Sequence, residues 1–286
     1  MKSPVIRLRE LLKAPGLTVM PCCFDALSAR LIERAGFPLT FMSGFGVAAA
    51  RLAAPDTGVI SYAEVLDQGR NICEAVEIPV IGDADTGFGN AANVGRTIRG
   101  YARAGFACAM IEDQVAPKRC GHTLGVDVVS RDAALSRLRA ALDAREAGAE
   151  ILVLARTDAR KVHGLEEAIA RGRAFAEMGA DIVFVEAPRS QDEMRRICDA
   201  IPIPVMVNMV EGGETPLLAP AELEAIGFAI AAYPLVLLSH AVRAMQEGLA
   251  ALGRGEVPSS GLAFEDLREV VGFPAHDALV ARYTAD

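Results

Sequence analysis

The chain has 286 residues, 52% hydrophobic and 23% charged, which excludes a disordered segment and a small disulfide scaffold. Its formal net charge is -8, from 29 Lys+Arg against 37 Asp+Glu, so no nucleic acid and no anionic membrane is expected as a main partner. Net charge leaves open a local basic pocket for a small acid.

The N-terminal stretch MKSPVIRLRELLKAPG is too charged for a signal peptide and reads as a short amphipathic helix over 5–13. Eight short apolar runs follow, at 17–22, 39–42, 79–82, 107–111, 151–155, 181–185, 203–207 and 228–232. They lack polar alternation, as do strands buried on both faces. Segments of helical period separate them, at 25–36, 61–76, 91–105, 131–148, 165–179, 191–200, 220–227 and 236–253. RAGF (34–37), RAGF (103–106), EAGA (146–149), EMGA (177–180) and AIGF (225–228) each place Gly at a helix end just before a strand. Glycine adopts the left-handed conformation cheaply there and stops the helix. Eight strand–helix units without a Pro-, Gly- or Ser-rich linker predict a single (β/α)8 barrel over 1–286. A doubly wound sheet is the rival, weakened because no GxGxxG follows the first strand. Residues 254–286 read as a C-terminal helical extension, with helical stretches at 263–271 and 276–283 broken by Pro258 and Pro274. No apolar run reaches the roughly 18 residues of a membrane span. Six cysteines form no CxxC pair. The expected setting is a reducing cytoplasm.

In a (β/α)8 barrel the chemistry sits at the C-terminal ends of the strands. Acids dominate those positions. GDADTGFGN (82–90) places Asp83 and Asp85 two residues apart; Glu112 ends the fourth strand and Glu186 the sixth. Carboxylates gathered at one mouth repel unless a cation or proton intervenes. Hard oxygen donors with few nitrogens suit Mg²⁺. A solvated acidic rim is the alternative. EDQVAPKRCGH (112–122) reads as a mobile loop. Lys118 and Arg119 precede Cys120, His122 follows, and Gly121 lets the backbone bend. Neighbouring cations are expected to lower the pKa of the Cys120 thiol. An ordinary basic loop is the alternative. ARTDA (155–159) places Arg156 at the fifth strand end, where it can hold a substrate carboxylate bidentately or pair with Glu186 or Glu112.

SGFG (43–46), GDADTGFGN (82–90), IEDQ (111–114), PKRCGH (117–122), ARTDA (155–159), VEAP (185–188) and NMVEGGETP (208–216) together resemble the isocitrate lyase/phosphoenolpyruvate mutase superfamily. They are most like its dimethylmalate lyase, petal death protein and methylisocitrate lyase branch. The resemblance implies a TIM barrel, Mg²⁺ with Mn²⁺ as a substitute, and an α-oxo or α-hydroxy acid substrate. It also implies a homotetramer with C-terminal helices exchanged between subunits. By the same resemblance, Ser43, Gly44 and Arg156 hold the acid's carboxylate and oxygen, Asn208 and Gly121 complete the substrate site, and Asp83, Asp85, Asp56 and Glu112 hold the metal. Cys120 is the lid's acid/base, with Lys118, Arg119 and His122 stabilising charge and Glu186 beside the substrate. The Lys-Arg-Cys-Gly-His lid is characteristic of the carbon–carbon lyases, which places P–C bond chemistry below C–C cleavage. Tricarboxylate lyases of the group carry an extra Arg early in the last helix. Ser239 stands there, which favours a smaller, malate-like diacid over 2-methylisocitrate. Oxaloacetate hydrolase, oxaloacetate decarboxylase and a non-catalytic binding protein are the other readings.

Overall fold

In the computed structural model, which describes residues 2–259 and 261–284, eight parallel strands close into a barrel. They are β1 (Thr18–Cys23), β2 (Thr40–Met42), β3 (Val80–Asp83), β4 (Cys108–Glu112), β5 (Leu152–Thr157), β6 (Ile182–Val185), β7 (Val205–Asn208) and β8 (Ile230–Tyr233). Each pairs with the next in sequence, and β8 returns to β1 with Ile230 opposite Thr18 and Tyr233 opposite Pro21. This is the (β/α)8 barrel that the repeated units predict.

The helices packed around it are α1 (Pro4–Lys13), α2 (Ala26–Arg34), α3 (Gly44–Leu52), α4 (Tyr62–Ala75), α5 (Ala91–Ala104), α6 (Arg131–Glu146), α7 (Ala159–His163), α8 (Leu165–Met178), α9 (Gln191–Ala200) and α10 (Pro220–Ile226). Side-chain caps start many of them: Asp25, Ser61 and Asn90 accept from backbone N–H groups of the first turns of α2, α4 and α5. The glycines expected to end helices do so with positive φ, for example 97° at Gly105 and 107° at Gly179. The short helix α3 has no counterpart in the sequence reading. Its first turn, Gly44-Phe45-Gly46, hides the helical period, and Ser43 starts it by accepting from the Gly46 N–H at 3.2 Å.

Alternation along the strands makes two cores. Met20, Phe41, Ile81, Met110, Leu154 and Phe184 fill the barrel interior, and Val5 and Leu8 of α1 join that cluster with Leu39 and Leu152 at the N-terminal strand ends. The opposite strand faces pack against the helices through residues such as Val80, Val153 and Val183. Each fully buried side chain of this size contributes roughly 1.5–3 kcal/mol. The closed bottom leaves the C-terminal strand ends as the open mouth.

The described chain forms two compact units, one up to Leu237 and one from Leu238. The second carries most of α11 (Val236–Gly253), with α12 (Phe264–Val271) and α13 (Phe273–Tyr283). Pro274 does not break a helix, contrary to the sequence expectation. It lies in the first turn of α13, where its missing N–H has no partner to lose. Among the described residues no helix is long and apolar enough to cross a membrane.

Candidate active site

The end of β3 sets the geometry of the mouth. Asp83 is the last strand residue, and its carboxylate accepts from the Asp85 N–H at 3.0 Å and the Gly44 N–H at 3.2 Å. Its carbonyl accepts from the Tyr101 hydroxyl at 2.6 Å, so main chain and side chain are both fixed. A Cβ on Gly44 would stand 2.5 Å from Asp83 Oδ2, which requires glycine there. Asp85 has φ 47°, a left-handed conformation that Asp tolerates better than most residues. The turn thus brings the two carboxylates to one place.

Asp56 and Glu112 are buried at the same mouth. The ammonium of Lys118 sits among these acids, 2.7 Å from Asp56 and 2.9 Å from Asp85. Burial would lower its pKa, but Asp85, Asp83, Glu112 and Asp56 outweigh that and raise it. Burial pushes Asp85 up to about 6 in spite of Lys118. Burial also holds Glu112 well above the usual carboxylate range. Glu112 Oε1 is buried without a hydrogen-bond partner. One ammonium therefore does not neutralise the cluster. Among the described residues no three acidic, His or Cys side chains converge into a closed metal cage. The oxygen-only donor set and the orphaned carboxylate oxygen fit a hard divalent ion that keeps several waters.

The lid follows β4. Gln114 clamps its root: its side-chain Oε1 accepts from the Arg119 N–H and its Nε2 donates to the Arg119 carbonyl, both at 2.9 Å. Lys118 turns inward. The Arg119 side chain is exposed and lies against Gly125, away from the acids, although the residue borders the cavity. The Cys120 pKa is raised, not lowered as its cationic neighbours suggested. Burial is the main cause, and the lowering by Arg156 is smaller. With Lys118 held by acids and Arg119 outside, the thiol keeps its proton. Gly121 lies flush on the site: a Cβ there would be 2.6 Å from Arg156 Nη2 and 2.7 Å from Glu186 Cγ. His122 Nδ1 accepts from the Glu214 N–H at 3.2 Å, so in the neutral ring Nε2 carries the hydrogen. That Nε2 is buried, borders the cavity, and has no hydrogen-bond partner, though it stands 3.3 Å from Glu186 Oε1.

Arg156, the last residue but one of β5, is the hub of a buried ion network. Its guanidinium holds Asp158 bidentately at 2.9 Å and 2.9 Å, and lies 3.1 Å from Glu186 and 3.4 Å from Glu112. The expected pairing with Glu186 and Glu112 is present, and Asp158 joins it. Burial would raise the Glu186 pKa, but Arg156 and His122 hold it at about 2. Asn208 Nδ2 donates to Glu186 Oε2 at 3.1 Å. Arg156, Glu186, Asn208 and His122 line a cavity of about 220 Å³ with Ser43, Asp56, Asp83 and Cys120. Its remaining wall is apolar, with Phe41, Phe45, Phe184, Val210 and Leu235.

Sequence patterns are shared with known proteins over nearly the whole chain. The family described as phosphoenolpyruvate phosphomutase matches residues 8–252. The chain belongs to the phosphoenolpyruvate mutase/isocitrate lyase family. Within the family, 2,3-dimethylmalate lyase of Eubacterium barkeri is 43% identical over 270 residues, covering 93% of each chain. A probable 2-methylisocitrate lyase of Corynebacterium glutamicum is 40% identical over 255 residues, covering 89% of this chain and 81% of the relative. The solved structure of oxaloacetate acetylhydrolase with 3,3-difluorooxalacetate superposes with a TM-score of 0.94 at 36% identity, covering 99% of both chains.

Several residues of this family member's site have a part that the sequence does not show. Asp113 accepts from the Thr157 hydroxyl (2.6 Å), the Asp158 N–H (2.9 Å) and Arg171 (2.9 Å), and so aligns the end of β5. Asp113 was visible beside Glu112, but its partner Arg171 is 58 residues away. Gln114, Lys161 and Glu214 bear on the loop that carries Cys120; Gln114 and Glu214 stand inside IEDQ and NMVEGGETP, where nothing local shows that part, and Lys161 stands in no motif.

Proposed function

We propose that this chain is a magnesium-dependent carbon–carbon lyase that cleaves a 2-hydroxy diacid of the 2-alkylmalate or 2,3-dimethylmalate type. The products are an α-oxo acid such as pyruvate and a carboxylate. One observation carries the reading: Cys120, its thiol pushed up by burial, borders a small cavity walled on one side by acids and Arg156 and on the other by apolar side chains.

Asp83 and Asp85, with Asp56 and Glu112 through water, would hold the metal. A bound Mg²⁺ supplies Lewis-acid polarisation of the substrate's C2 oxygen and carboxylate. Ser43, Gly44 and Arg156 orient that carboxylate. The C2 hydroxyl proton leaves to a base and the C2–C3 bond breaks. The electron pair passes to the departing fragment as an enediolate. The Nε2–H of His122 and the buried Lys118 ammonium stabilise its charge. Cys120 delivers its proton to C3 as the general acid. Glu186 fixes Arg156 and Asn208 around the reacting carbons. Gly121, packed flush, excludes water when the lid is down.

The apolar wall suits alkyl substituents on C2 and C3, and Arg156 is already shared among Asp158, Glu186 and Glu112. Both features support a malate-sized diacid over a tricarboxylate. Oxaloacetate hydrolysis is the second reading, favoured by the close superposition on oxaloacetate acetylhydrolase. A substrate panel with Mg²⁺ and product identification by NMR decides between them. 2,3-Dimethylmalate is expected to give pyruvate and propionate. Oxalate and acetate from oxaloacetate, with dimethylmalate untouched, would replace the lyase by the hydrolase.

We also propose a cytoplasmic homotetramer. All six cysteines are free thiols, which suits a reducing compartment. In the unit from Leu238, Leu249, Leu252, Phe264 and Phe273 are exposed by 68%, 60%, 76% and 45%. Apolar surface of this extent marks an interaction face. Light scattering is expected to give four times the 30.2 kDa chain mass.

A further inference from the structure

We propose that Lys161 is the latch that holds the lid closed over the site. It acts as a positioning residue for Cys120 and His122, and only its turnover readout rests on the lyase reading. Lys161 lies on α7, directly after the Arg156–Asp158 corner. Its ammonium donates to the Gly121 carbonyl at 3.2 Å, the Thr123 carbonyl at 2.9 Å and Glu214 Oε1 at 2.5 Å. An ammonium has three hydrogens, and each has a partner. Two of those partners are lid carbonyls that bracket His122. The third ties the lid to the loop after β7.

Both ends of this tie are anchored. Beside Lys161, Arg160 grips Glu193 of α9 at 2.9 Å and 2.5 Å, so α7 is a fixed base. Glu214 is also held by Arg189 at 3.0 Å, and its N–H is the donor that sets the His122 tautomer. The side chains of Lys161 and Glu214 are 15% and 28% exposed, so water weakens the pair without abolishing it. That suits a tie that must break in each cycle. The lid's own bonds, such as Thr123 Oγ1 to the Cys120 carbonyl at 2.8 Å, shape the loop but do not fasten it to the barrel.

The test reads lid opening through the reactivity of Cys120. The full-length protein is treated with iodoacetamide without substrate, and each cysteine peptide is followed by mass spectrometry. Lys161→Met is expected to speed Cys120 alkylation about tenfold, the loss of one charge-assisted hydrogen bond's worth of closure. Cys73 and Cys198, half-buried elsewhere, serve as controls and keep their rates. Removing a cation does not raise the thiolate fraction, so faster reaction reports access. Lys161→Arg restores most of the protection. Glu214→Gln keeps the backbone donor to His122, moves the rate in the same direction by less, and decides the matter if Lys161→Met fails to fold. An unchanged Cys120 rate overturns the latch. So does a parallel rise at all three thiols, which marks general loosening. In turnover, Lys161→Met raises KM more than it lowers kcat. Because alkylation needs no substrate, the latch can stand where no malate is cleaved, and can fail in an active lyase.

Discussion

The ammonium of Lys118 lies 2.9 Å from Oδ1 of Asp85, so the root of the loop after β4 keeps a cation inside the acid cluster. Removing one partner of a buried pair leaves an uncompensated charge. Lys118→Met should cost about 3–5 kcal/mol in EDTA. Mg²⁺ should recover part of that loss. Thermal unfolding with and without Mg²⁺ reads both effects, and an unchanged midpoint in EDTA would count against the pairing.

Asp85 is also a proposed metal ligand. Asp85→Ala is expected to abolish both the heat of Mg²⁺ binding in calorimetry and turnover. Full wild-type activity in EDTA would end the Mg²⁺ proposal.

Gly121 has no room for a side chain against Arg156 and Glu186. Gly121→Ala should keep the lid from seating. The expected loss is about 100-fold in turnover, as for a misplacement on the order of 1 Å. The melting temperature should hold, because the strain is relieved by opening the loop. Normal turnover would show that the closed lid is not the working state.

Cys120 keeps its proton because burial raises its pKa. Cys120→Ser should still bind Mg²⁺ and pyruvate but lose roughly 10²–10⁴ in rate, the usual contribution of a positioned acid. An unchanged cleavage rate removes Cys120 from the mechanism.

Glu186 is held at about 2 in the folded chain, against roughly 4.3 for an ordinary Glu. As pH falls, the unfolded chain takes up this proton first. The stabilisation is therefore complete above about 4.3 and is lost between about 4.3 and 2. Urea unfolding across that window should show a shallower pH slope for Glu186→Gln than for wild type. Equal slopes would mean that Arg156 does not hold Glu186 ionised.

Strand ends were the most legible part of the sequence. Buried strands are short apolar runs, and a helix-ending glycine precedes several of them, as at Gly105 and Gly179, so Asp83, Glu112 and Arg156 could be placed at the mouth from spacing alone. Helix α3 was hidden because its first turn is glycine-rich. The place of Pro274 in a first turn is not legible, because proline at a helix start and proline inside a helix look alike in sequence. The direction of the Cys120 pKa is not legible either, because charge is visible in sequence and burial is not. The Lys161–Glu214 tie spans 53 residues, and only the folded barrel brings its ends together.

The two-way grip of Gln114 on the Arg119 backbone has a mechanical consequence. It mimics a rung of β-sheet and pins the loop one residue before Cys120. The pivot therefore falls between Arg119 and Cys120, and the swinging arm is short. Thiol and imidazole travel together on it, while the Lys118 side of the hinge stays with the barrel.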